Sequence, residues 1–89
     1  MDENALTRLR IRLEKESWPT VYMFKLIFPA SNHTYALVRR LFPDEARFFY
    51  RHSSHGKYIS VTVKEMMLSS DEVIERYKKL SEIEGIILL

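Results

Sequence analysis

Hydrophobic and polar residues alternate most clearly between Thr20 and Phe28, where Tyr22, Phe24, Leu26 and Phe28 interleave with Val21, Met23, Lys25 and Ile27. A period of two in aromatic and β-branched residues predicts a strand. Lys25 marks its own set as the outward one and leaves the aromatic set for the core. A second alternation, Ile59, Val61 and Val63 against Tyr58, Ser60, Thr62 and Lys64, predicts a strand over Lys57 to Glu65. Before it, Ala46 to His52 reads as the other arm of a hairpin. Ser53, Ser54, His55 and Gly56 form the turn, with the glycine that a positive φ demands.

Elsewhere the period lengthens to that of a helix. Residues 3 to 16 place Leu6, Leu9 and Leu13 on one narrow stripe, with Arg10/Glu14 and Arg12/Glu16 at i,i+4 spacing. The Trp18-Pro19 step ends that helix, because proline lacks an N–H and drives the preceding residue out of the α region. Pro29 ends the first strand. Ser31 or Asn32 then caps a helix running to about Phe42, with Tyr35, Val38, Leu41 and Phe42 inward. Ser69 and Glu72 have capping-box spacing ahead of Val73, Ile74, Tyr77, Leu80 and Ile83, and Gly85 closes that helix before a last strand over Ile86 to Leu89.

After the first helix the order is β-α-β-β-α-β. Two right-handed crossovers fold that order into a four-stranded antiparallel sheet, order 4-1-3-2, with both long helices on one face. The expectation is an α+β, ferredoxin-like domain over residues 18–89, preceded by an N-terminal helical extension over residues 1–17.

Composition narrows the class. At 46% apolar and 29% charged, the 89 residues have material for one core and too little charge excess for disorder. The absence of cysteine excludes disulfides and thiolate metal sites and suits the reducing cytoplasm. Acids at Asp2 and Glu3, and no long apolar run, argue against a signal peptide or a membrane span. The net charge of +2 is too small to imply nucleic acid by itself, although the calculated pI is near 9.0.

The run Ser53-Ser54-His55-Gly56-Lys57-Tyr58-Ile59-Ser60-Val61 resembles the Ser-Ser-x-Gly-x-Tyr-x-Ser-Val hairpin of the YbeD-like family of small bacterial proteins of unknown function. Trp18-Pro19-Thr20, Lys25 within strand one and an acidic last helix ending in Ile-rich sequence are similar to that family as well. The likeness covers roughly residues 18 to 89. His52 stands where the family has proline, and the segment between strands one and two is shorter. The resemblance implies a ferredoxin-like fold, in outline like regulatory domains of the ACT type. It implies no established activity and no agreed functional residues.

Candidate chemistry is sparse. An acylphosphatase-like hydrolase needs a glycine-rich, arginine-bearing loop after strand one, and here that loop reads Pro29-Ala30-Ser31-Asn32-His33. Topology brings His33, His52 and His55 to one end of the sheet with Ser31, Ser54 and Glu84, but scattered loop histidines are ordinarily solvated, so no metal or cofactor is expected. The open face is the better surface. Met23, Lys25, Tyr58 and Lys64 are the candidate partner-binding residues there, with Ile86 and Leu88 on an unblunted strand-four edge that invites a partner strand or a dimer. Cover for Val21, Met23 and Ile27 is expected from the N-terminal helix or from a second subunit. The reading is a non-catalytic protein-interaction or regulatory domain. The alternative is a single-stranded nucleic-acid binder that uses Tyr58 and neighbouring bases, Lys25, Lys64 and whichever of Arg47 or Arg51 share that side.

Overall fold

The computed structural model describes residues 2–89. Helix α1 spans Glu3–Leu13 and begins where Asp2, its side chain accepting from the Ala5 N–H at 2.7 Å, satisfies a free donor of the first turn. It stops short of the expected residue 16, because the N–H groups of Lys15 and Glu16 turn back onto the carbonyls of Arg12 and Leu13. Trp18 then donates its indole N–H to the Leu13 carbonyl at 3.0 Å, which fastens the turn into strand β1, Thr20–Pro29.

Helix α2, Asn32–Arg40, and helix α3, Ser70–Ser81, are capped by Ser31 and Ser69 through the N–H groups of Thr34 and Glu72. Strands β2, Arg47–His52, and β3, Tyr58–Met67, form the expected hairpin, and β4 is only Ile87–Leu88. Gly56 turns the hairpin at φ 69°. Gly85 has φ 81°, and a Cβ there would lie 3.0 Å from Pro29 Cγ, so the glycine lets the chain pass close beneath the end of β1.

The sheet order is β2-β3-β1-β4, all pairs antiparallel, which is the expected 4-1-3-2 read from the other side. Register sorts the faces. Phe24 lies opposite Val63, Leu26 opposite Val61 and Phe28 opposite Ile59, and all of them are buried against Val38, Phe42, Val73, Ile74, Tyr77 and Leu80. Phe24 is the hub: its ring centroid is 4.8 Å from Tyr22, 5.3 Å from Phe42 and 5.3 Å from Tyr77. Burial, and then a 3.0 Å hydrogen bond with Tyr22, hold the Tyr77 hydroxyl protonated well above the usual tyrosine range.

The N-terminal helix corrects one expectation. It does not cover the open face. Leu9 and Leu13 are buried in the same core as Phe24, and Arg10 pairs with Asp71 at the start of α3. α1 is therefore a third helix in the helical layer, and Val21 and Met23 remain 57% and 43% exposed on the reverse of the sheet. A stripe of three leucines looks the same for either location; the arginine pairing with α3 decides between them.

Candidate functional site on the open face of the sheet

The face turned away from the helices is defined by register. β1 contributes Val21, Met23, Lys25 and Ile27, β3 contributes Tyr58, Ser60, Thr62, Lys64 and Met66, β2 contributes Arg47, Phe49 and Arg51, and Ile87 comes from β4. Arg47, Lys64 and Met23 form one row across the sheet, with Phe49, Thr62 and Lys25 in the next. Lys64 Nζ lies 5.4 Å from the centroid of the Phe49 ring, a cross-strand cation–π contact.

The charge on these strand positions has one sign. Lys25, Arg47, Arg51 and Lys64 are all here, and none of the outward strand positions is Asp or Glu. Glu45, in the turn before β2, stands at the rim, where it lines a hollow with Val21, Arg47, Lys64 and Met66. Glu65, next to Lys64, points through to the other face. There its carboxylate holds Arg76 in a two-pronged pair at 2.6 and 3.1 Å. The small net charge of the whole chain thus conceals a basic face, because its acids lie elsewhere. Apolar groups are interspersed with the cations: Phe49 is 52% exposed, and Val21, Met66 and Ile87 are exposed too.

Met23, Lys25 and Lys64 are neighbours on this face, as expected. Tyr58 shares the face but pairs with Pro29 at the far end of β3, about 20 Å along the strand from Lys64. It does not sit among the lysines. Both arginines of β2 face outward, and so does Phe49, an exposed aromatic to which the sequence reading assigns no face, although Arg47 and Arg51, two residues to either side, mark its set as the outward one just as Lys25 marks its own. Ile86 and Leu88 pack onto the core, and the outward residues of the last segment are Ile87 and Leu89. The β4 edge is two residues long and offers little ladder to a partner.

The other expected constellations are quieter. Among the described residues no three His, Asp or Glu side chains are grouped so as to hold a metal ion, so His33, His52 and His55 form no such site. Serine hydroxyls serve the backbone: Ser31 and Ser69 cap helices, and Ser53 accepts from the Tyr58 N–H. A cleft of about 760 Å³ lies between α2 and the α3–β4 turn. Its rim carries Arg40 and Lys79 but also Glu82 and Glu84, so no single sign of charge marks it for a charged ligand. Among the described residues no buried side-chain nitrogen or oxygen lacks a partner, and no helix is long and apolar enough to cross a membrane.

Comparison with known proteins agrees with the hairpin resemblance. No solved structure matches the chain. Two bacterial proteins, each described as a UPF0250 protein, from Shewanella halifaxensis and Shewanella piezotolerans, are both 30% identical to it over 77 residues, covering 82% of this chain and 88% of the relative. Residues 14–89 match the family described as Protein of unknown function (DUF493), and the chain belongs to that family.

Proposed function

We propose that the chain is a non-catalytic docking module of the cytoplasm whose open sheet face binds an acidic protein surface. The single-sign charge of that face carries the reading: Lys25, Arg47, Arg51 and Lys64 surround exposed Met23 and Phe49 with no carboxylate on the strands among them. Apolar contacts supply affinity when water is removed, and the cations select an acidic partner and speed its approach. A second copy suits the face poorly, since face-to-face pairing sets these cations against themselves. The lack of cysteine and the employment of serines at caps favour a cytoplasmic binding role over a reaction.

Single-stranded nucleic acid is the competing ligand, for which exposed rings and bases are the attraction. The geometry favours it less. A base-stacking platform needs rings on the two central strands, and β1 presents none outward, while Phe49 stands on the edge strand and Tyr58 at the end of β3. Capture from native bacterial lysate, with and without nuclease, separates the two. The expected result is an acidic protein retained after nuclease and released by salt, whose affinity falls roughly a hundredfold for the doubly reversed Lys25→Glu/Lys64→Glu chain. Retention that vanishes with nuclease would transfer the face to nucleic acid.

A further inference from the structure

The free edge of β2 borders the basic face, and its backbone is readable from the ladder. The Ser53 N–H donates to the Tyr58 carbonyl at 2.9 Å, so in the antiparallel register Arg51, Phe49 and Arg47 bond to β3. Phe48, Tyr50 and His52 therefore aim their N–H and C=O groups outward, away from the sheet. The six residue pairs run without a bulge, and β2 contains no proline. Edges of this kind accept an added strand unless something blunts them. Here the blunting is by charge, from Arg47 and Arg51 near the ends of the strand.

We infer that this edge takes up an extended acidic segment of the protein partner, as an added strand beside β2. The inference rests on the reading of the basic face, because the arginines that select the segment belong to it. Side chains of an added strand alternate between faces in step with β2. Residues opposite Arg47 and Arg51 would lie on the open face, with the residue opposite Phe49 between them. The segment that fits reads acid-x-apolar-x-acid, its carboxylates meeting the two guanidiniums and its central side chain lying beside Phe49. On the other face the intervening residues meet Phe48 and Tyr50, whose rings stack at 5.9 Å and are held by Arg39 over Phe48 and by the Tyr35 hydroxyl on Tyr50. The arginines that admit such a segment repel a second copy, since β2 paired with itself doubles the guanidiniums on adjoining strands and adds no carboxylate.

The test is fluorescence anisotropy with the labelled peptide Thr-Glu-Thr-Val-Thr-Glu-Thr and the full chain. The peptide is expected to bind at least roughly tenfold more tightly than its counterpart with lysine for glutamate. N-methylation of the backbone nitrogens that face β2 is expected to abolish binding. Tyr50→Pro removes an outward donor without touching the β2–β3 ladder, and it is expected to lose binding that Tyr50→Ala retains. Should Tyr50→Pro not fold, His52→Pro removes the next outward donor and carries the same expectation. Equal binding of the two peptides, or none below millimolar, overturns the inference. If N-methylation and the proline variants change nothing while Lys25→Glu/Lys64→Glu abolishes binding, the edge assignment fails and the face reading stands. A concentration-dependent dimer lost in Tyr50→Pro would give the edge to a second copy and overturn the acidic-segment assignment.

Discussion

Phe24→Ala is expected to lower the unfolding free energy by about 3–5 kcal/mol, and Met23→Ala, one residue earlier, to change it by less than about 0.5 kcal/mol. Phe24 is fully buried at the meeting point of three other rings, so truncation loses the transfer of the ring, its edge-to-face contacts and the filling of its site. Met23 lies on the other side of the same strand, half exposed. In an 89-residue domain with stability of about 5–10 kcal/mol, the first change lowers the melting temperature by roughly 20 °C, if it leaves a folded protein at all. Urea unfolding of the two variants measures the contrast. Equal losses, or a larger loss at Met23, would reverse the faces and remove the ground for the docking surface.

The Glu65–Arg76 pair is expected to give the second large effect. The side chains are only 9% and 15% exposed, and the guanidinium lies over two rings, 4.7 Å from the centroid of Phe42 and 5.6 Å from that of Phe24. Glu65→Ala leaves this cation between sheet and helix without its carboxylate, and the expected cost is about 3 kcal/mol. Replacing both residues by apolar ones of similar size, Glu65→Leu with Arg76→Met, is expected to recover most of the loss, since no unpaired charge remains. A single variant within about 0.5 kcal/mol of the native chain would show that Arg76 simply swings into water. The pair also bears on the basic face, because it draws the one acid within β3 to the helical side.

Much of this architecture is legible in the sequence because it is local. The alternation of β1, the lysine that marks its outward set, the capping serines and the glycine of the hairpin each act over a few residues, and each fixed its element. Strand ends are less legible. β3 runs on to Met67 because Thr20 and Val21 supply partners to Met67 and Met66, while the stretch Glu65-Met66-Met67-Leu68 has no alternation of its own. β4 shortens to two residues, for it pairs only with Leu26 and Ile27.

The site is legible by half for the same reason. Lys25 and Lys64 declare their face through the alternation of long strands. Arg47, Phe49 and Arg51 share one side of β2 by the same alternation, and Tyr58 is six residues from Lys64 along one strand, so both are open to reading; what only the register supplies is that Arg47 lies beside Lys64 and Phe49 beside Thr62. The placement of α1 rests on long-range partners, Asp71 for Arg10 and the common core for Leu9 and Leu13, which no local pattern announces. Nor does any local pattern announce that Glu65 meets a residue of α3, and so the basic character of the face is invisible in a net charge of +2.

Lysine reactivity tests the docking claim most directly. The chain, alone and with its captured partner, is acetylated under limiting reagent, and each lysine is followed by mass spectrometry. Lys25 and Lys64 are expected to slow several-fold in the complex, while Lys78 and Lys79 on α3 keep their rates. Slowing of Lys78 and Lys79 with Lys25 and Lys64 unchanged would place the partner on the helices and contradict the account.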